Sequence, residues 1–156
     1  MENYNEKFMR LALYEALKSY KKGDVPVGCV ITQERKIISS SHNTQNSRKV
    51  CTFHAEMLAI QSACEKLGRS NLSDCAMYVT LEPCLMCLGA IINAKISTLY
   101  IGAASEQNGA VISKFPLVKD DAVFPYKLDY YFKKTISPYI LKRFFKKMRR
   151  GNDEFR

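Results

Sequence analysis

No apolar run in the chain approaches the roughly 20 residues that a membrane-spanning helix needs. The opening MENYNEKFMR likewise lacks the apolar core of a signal peptide. The chain is therefore expected in the cytoplasm, with no membrane partner. That expectation bears on the cysteines: six are enough for three disulfides, but a reducing compartment leaves them as thiols. Internal repeats, low-complexity segments and breaks in composition are also missing. The 156 residues, 47% hydrophobic, thus read as one domain, 1–156, around one sizeable core. Acidic residues are in deficit, 15 against 24 Lys and Arg, and the resulting +9 favours a polyanionic partner. Residues 126–156 account for +7 of it, with ten Lys or Arg against three acidic residues.

Against this background one pair of motifs stands out, His54-Ala55-Glu56 and Pro83-Cys84-Leu85-Met86-Cys87. One imidazole and two thiolates, from His54, Cys84 and Cys87, give zinc three protein ligands. Three is the number a catalytic zinc uses when it keeps a fourth position for water. A helix starting near His54 would aim the imidazole at the metal and the Glu56 carboxylate at the water. Zinc lowers the pKa of that water towards neutrality, and Glu56 is placed to take its proton and deliver it to a leaving amine. A Cys-x-x-Cys alone also suits a redox pair or half of a structural zinc knuckle, and a lone histidine is more often a core residue. All four groups at this spacing point to the catalytic reading. Of the remaining cysteines, Cys29, Cys64 and Cys75 read as small core residues. Cys51, in the loop before His54, is close enough in sequence to be a fourth ligand, although that would close the site.

In chain order, residues 6–22 repeat apolar positions at helical spacing, and Gly23 is the expected stop. Residues 25–32 predict a strand, with Pro26 near its start where a missing donor is tolerated, and a turn at 33–36 leads to a second strand at 37–40. Residues 41–53 are polar and predicted irregular, and His42 is expected to face solvent. A helix is predicted over 54–67 with Gly68 after it, then a strand over 76–80. Glu82-Pro83 breaks that strand and starts a helix over 84–94. Both metal-binding cysteines would then sit in a helical first turn, where free amides and the helix dipole stabilise thiolate. A strand at 98–102 follows, then mixed loop to 125 with room for one short strand. Ser137-Pro138 opens a final helix to about 150, with Ser137 as cap and Pro138 at the first helical position. That helix places Ile140, Leu141, Phe144, Phe145 and Met148 on a packing face and surrounds it with Lys and Arg, which is either a solvated face or a nucleic-acid contact. Helix, hairpin and then alternating strand and helix indicate a three-layer α/β domain.

The H-x-E and P-C-x-x-C spacing is the signature of zinc-dependent nucleobase deaminases. With Val25-Pro26-Val27-Gly28, His54-Ala55-Glu56-Met57 and the run from Tyr78 to Ala90 that contains EPCLMC, the chain resembles the bacterial tRNA-specific adenosine deaminases of the cytidine/deoxycytidylate deaminase superfamily. The likeness is dense over 25–110 and looser at both ends. It implies the cytidine-deaminase-like fold, a five-stranded mixed sheet between helices, and one zinc per chain. It further implies deamination of the wobble adenosine of the anticodon to inosine by a homodimer. Substrate contacts are implied at Val27, Asn43, Ala55 and Pro83, and contacts to the tRNA anticodon stem-loop at Lys147, Arg149 and Arg150. Asn43 is otherwise an ordinary loop asparagine.

The sequence also departs from that pattern. Val50-Cys51-Thr52-Phe53 stands where the family often has Asp-Pro-Thr-Ala, and Phe53 is expected to alter the pocket floor or the loop entering it. Ser105 replaces an acidic residue, and Gln107-Asn108-Gly109 replaces a Lys-Thr-Gly turn. The metal centre selects hydrolytic deamination without selecting the ring. A guanine or free nucleoside deaminase therefore stays open, as does a zinc-stabilised RNA-binding subunit without its own activity.

Overall fold

A computed structural model describes residues 3–119 and 127–153. The first helix, α1 (Glu6–Lys22), is capped by Asn5, whose side chain accepts from the Lys7 amide at 3.0 Å. It ends where Gly23 turns left-handed at φ 80° and returns its amide to the carbonyls of Ser19 and Tyr20. Two strands follow, β1 (Gly28–Gln33) and β2 (Lys36–His42), joined by a tight turn with Glu34 and Arg35 at positive φ. The expected strand start at Val25 moves to Gly28 for a local reason. Pro26 has no amide to offer, and the Val27 amide bonds back to the Val25 carbonyl at 2.8 Å, so the chain turns before it joins a ladder.

The polar stretch predicted to be irregular contains a short helix, α2 (Gln45–Arg48). Buried Asp24 holds its first turn, accepting the Asn46 and Ser47 amides on one oxygen at 2.6 and 3.1 Å. Next come α3 (Ala55–Leu67), β3 (Cys75–Val79), α4 (Leu85–Ala94) and β4 (Thr98–Ile101), each within a residue or two of its predicted limits. A 3-10 turn covers Leu117–Lys119. The short strand expected before residue 125 lies instead at β5 (Asp129–Phe132), and residues 120–126 are outside the described part of the chain. The last helix, α5, runs Ser137–Asp153. Its start differs in detail from the prediction, because the Thr135 hydroxyl accepts the Ser137 amide at 3.0 Å and takes the capping role two residues earlier.

The five strands form one mixed sheet in the order β2-β1-β3-β4-β5. Strand β1 is antiparallel to both neighbours, whereas β3, β4 and β5 are parallel. Alternation sorts the side chains into two layers. Val30, Ala76, Tyr78 and Tyr100 meet Phe8, Met9 and Ala12 of α1 on one face. Cys29, Ile31, Cys75, Met77, Val79, Leu99 and Ile101 meet Ala55, Ala59 and Ala63 of α3 and Leu88 and Ile91 of α4 on the other. The sheet between helices is the expected three-layer α/β arrangement.

Small residues bring the helices close to the sheet, most severely at Gly28. A β-carbon there would collide with the Ala12 carbonyl oxygen and crowd the backbone nitrogen of Ala16. His42 is not the solvent-facing residue expected: its Nδ1 lies 2.9 Å from a carboxylate oxygen of buried Glu15, and its Nε2 lies 3.2 Å from the Lys22 ammonium.

Gly28→Ala is expected to destabilise the fold by about 1–3 kcal/mol or more, as overpacking against a rigid backbone does. Gly89→Ala is the control, because a β-carbon at that α4 position meets nothing within 4 Å. It is expected to be neutral or to stabilise by up to about 1 kcal/mol, with urea unfolding reading both variants.

Candidate active site

Two helix starts converge on the C-terminal side of the sheet. His54 occupies the N-cap position of α3 and Cys84 that of α4, both in extended backbone, and Cys87 lies in the first turn of α4. His54 Nδ1 is 3.6 Å from Cys84 Sγ and 3.6 Å from Cys87 Sγ. The three donor atoms lie within 4.8 Å of one another, and they are the only such trio among the described residues. A tetrahedral zinc with bonds of about 2.0–2.1 Å to nitrogen and 2.3 Å to sulfur separates N from S by about 3.5–3.6 Å. The spacing therefore fits the ion, and His54, Cys84 and Cys87 are the residues that would hold it. Cys51 is exposed and stands apart from the trio, so it is not a fourth ligand.

The protonation of the donors suits a dication. The Cys87 thiol donates to Cys84 and holds the Cys84 thiol down at about 4, helped by His54 against the opposing effect of burial. The same bond, reinforced by burial, pushes Cys87 well above the usual thiol range. The pair thus shares one proton, which a metal ion would replace. The hydrogen bond with Cys84 also raises His54. Glu56, one residue into α3 from Ala55, is only 4% exposed, and burial pushes its carboxyl up to about 7. A nearby dication would favour its charged form.

These groups open into a cavity of about 690 Å³. Val27, Asn43, Ala55 and Glu56 are among its lining residues, with His54 and Cys84. Asn43 is 4% exposed and fixed at both ends of its amide, donating to the Val25 carbonyl and accepting from the Gln45 amide, each at 3.1 Å. Pro83 is buried but is not on the cavity surface, which Glu82 and Cys84 supply on either side of it. Phe53 is also off that surface. Its ring lies under the Arg48 guanidinium at 4.7 Å, so of the two places expected for its effect it meets the loop entering the pocket and not the lining.

Two segments that the sequence reading singled out without placing them at the cavity form walls of it. One is the segment from Ala104 to Asn108, and the other is α5, which presents Leu141, Lys142, Phe145, Met148 and Arg149. Of the five apolar residues assigned to the packing face of α5, only Ile140 and Phe144 are buried in the body. Phe144 meets Tyr20 of α1 edge-on at 5.8 Å. Phe145 and Met148 stay 47% and 44% exposed at the mouth of the cavity. The basic residues also divide. Arg149 faces the cavity, whereas Lys147 sits over the Tyr20 ring in a second depression beyond α5, and the Arg150 side chain is outside the described residues.

Comparison with known proteins adds to this geometry. Residues 2–103 match the profile of the cytidine and deoxycytidylate deaminase zinc-binding region. The tRNA-specific adenosine deaminase of Aquifex aeolicus is 41% identical over 145 residues, covering 92% of this chain and 95% of that protein. The corresponding protein of Rickettsia bellii is 40% identical over 90% of this chain and 99% of its own length. Among solved structures, a chain from a study of A-to-I editing by tRNA:A34 deaminases at the wobble position of transfer RNA superposes with a TM-score of 0.83. It is 37% identical, over 88% of this chain and all of that one. A guanine deaminase from Bacillus subtilis gives a TM-score of 0.62 at 28% identity, over 90% of this chain and 94% of that one.

Replacing one ligand tests the metal assignment directly. Cys84→Ser is expected to lower zinc affinity by at least about 10-fold, the range that even outer-shell changes reach at zinc sites. Metal analysis of the dialysed protein reads the result, and an unchanged zinc content would remove Cys84 from the site.

Proposed function

Because the chain belongs to the tRNA-specific adenosine deaminases of the cytidine and deoxycytidylate deaminase zinc-binding family, we propose that it hydrolyses the wobble adenosine of a tRNA anticodon to inosine. The observation that carries this reading is the make-up of the cavity: His54, Glu56 and Cys84, with Cys87 buried behind them, share one cavity with Leu141, Lys142, Phe145, Met148 and Arg149 of the basic helix α5. Here the mouth is lined by Phe145, Met148 and Arg149, groups suited to an unstacked nucleotide and its phosphate.

His54, Cys84 and Cys87 would hold a zinc ion, which when bound would supply the Lewis acidity that makes water a nucleophile near neutral pH. The roles of the chain's own residues follow from their placement. Glu56 takes a proton from the attacking water and delivers it to the leaving amino group, which departs as ammonia, from inside a cavity wall where bulk water does not compete. Val27 presents apolar surface to the base, and Ala55, fully buried against the sheet, holds the start of α3 beside it. The Asn43 amide, already oriented by Val25 and Gln45, has a second N–H to offer the nucleotide. Pro83 shapes the approach from beneath the surface. The anticodon loop is single-stranded, so little pairing energy opposes extrusion of the base. Lys147, Arg149 and Arg150 of α5 supply positive charge for the RNA backbone. The same reading takes the functional unit as one deaminase domain per chain, acting as a cytoplasmic homodimer. Among the described residues no helix is long and apolar enough to cross a membrane.

The decisive assay is inosine formation by the zinc-loaded protein on an anticodon stem-loop with adenosine at the wobble position, beside free guanine, adenosine and cytidine. Inosine in the stem-loop alone is expected, and Glu56→Ala should keep its zinc while losing turnover by at least about 100-fold. Turnover of a free base or nucleoside with the stem-loop untouched would replace RNA with a small substrate.

Alanine at Lys147, Arg149 and Arg150 together should weaken stem-loop binding. It should also flatten the dependence of log K on log salt by about 2 units, since each lost phosphate contact removes about 0.7–0.9. An unchanged slope would return α5 to a solvated face.

A further inference from the structure

Glu82 lies between β3 and α4, is 3% exposed, and has no part in the chemistry described above. Its carboxylate nevertheless accepts five hydrogen bonds, all from one segment 23–31 residues further on. Oε1 takes the amides of Val111, Ile112 and Ser113 at 3.1, 2.8 and 2.9 Å. Oε2 takes the Ser105 amide at 3.0 Å and the Ser113 hydroxyl. These bonds outweigh the opposing effect of burial and hold the carboxyl below the ordinary range. Backbone bonds extend the attachment on both sides, from the Glu82 amide to the Ala103 carbonyl and from the Ala110 amide to the Pro83 carbonyl, each at 2.8 Å.

The segment is wrapped so closely that Gly109 has no room for a side chain. A β-carbon there would run into the Glu82 carboxylate and the Ser105 carbonyl oxygen. Between the anchor points at 105 and 111, the chain displays Glu106, Gln107 and Asn108 to the cavity, with Ala104 and Ser105 leading into them. Segment 102–116 has no strand of its own to hold this shape. One buried carboxylate therefore does locally what a ladder of backbone bonds does elsewhere.

We propose that Glu82 is a positioning residue for RNA selection: it holds the wall from Ala104 to Asn108 in the form that grips the nucleotides beside the target base. The inference rests on the reading of the cavity as an RNA site. It makes Glu82 act on substrate binding rather than on the reacting atoms, because the wall faces the cavity at a position distinct from the Glu56 carboxylate. The dipeptide that anchors the wall runs directly into Cys84, so metal site and wall share one rigid support.

The test uses the full-length, zinc-loaded protein with Glu82→Gln, which keeps the side-chain shape and turns one acceptor into a donor facing donors. Amide hydrogen exchange over 105–113 is expected to accelerate at least about 10-fold with zinc content unchanged. KM for the anticodon stem-loop should rise about 10-fold with kcat within about 3-fold, the signature of lost ground-state binding. Gly109→Ala attacks the same clamp from the other side and should reproduce the pattern, with the double variant less than additive. Ser113→Ala removes a single donor and serves if Glu82→Gln does not fold; a smaller rise in both exchange and KM is expected. Unchanged exchange and KM would overturn the inference, as would a fall in kcat alone or loss of zinc. Accelerated exchange in the variant beside a wild type inert on the stem-loop would overturn the RNA half and keep the clamp.

Discussion

The convergence of two helix N-termini is the constraint on which the rest of the structure depends. Each helix start leaves amides without intrahelical partners and adds partial positive charge, and that environment favours thiolate over thiol. Putting two starts together requires that α3 and α4 lie side by side, close against the same sheet face. The small residues of α3, Ala55, Ala59 and Ala63, all fully buried, permit that approach. Parallel pairing of β3 with β4 then sets both ends of α4, because a right-handed crossover leaves a strand at its C-terminal end and enters the helix there. Two of the metal donors, His54 and Cys84, are thus supplied by caps, and the third, Cys87, by the first turn that follows.

The features legible in the sequence were those encoded over short spans. His54-Ala55-Glu56 and Cys84 with Cys87 announce their chemistry within four residues each, and the periodicity of α1 and α3 carries its own stop signals at Gly23 and Gly68. The features that escaped depend on residues far apart. Strand β5 is four residues long and exists by pairing with β4, so its Tyr-Tyr-Phe run between lysines gave no pattern to read. Short α2 is held by Asp24, some 20 residues earlier, inside a stretch whose Ser, Asn and Thr content indicates loop. Glu82 was visible only as a residue before proline, because all five of its donors lie beyond residue 104.

Amphipathicity explains the most consequential of these differences. A periodic apolar face says that one side of α5 avoids water, but not what it meets. Ile140 and Phe144 pack on the body, while Leu141, Phe145 and Met148 turn a little further round the helix and face the cavity. One stripe therefore serves two surfaces, and the polar residues between them belong to both, as Lys142 does in touching the cavity and the depression beside Tyr20. The donor residues announce the chemistry and the resemblance ties it to the basic end of the chain, and the three-dimensional arrangement adds that α5 lines the same cavity as His54, Glu56 and Cys84.

The attachment of α5 also shapes the energy landscape of the protein. The sheet and α1, α3 and α4 share two continuous cores, whereas α5 is fastened mainly by Ile140 and Phe144 against the region of Tyr20. Elements with few buried apolar contacts detach at a free energy well below that of global unfolding. The outer wall of the cavity can therefore lift in a sub-global excursion while the metal ligands stay in place on the rigid sheet. Such an excursion widens the cavity beside α5 and leaves His54, Cys84 and Cys87 where α3 and α4 hold them.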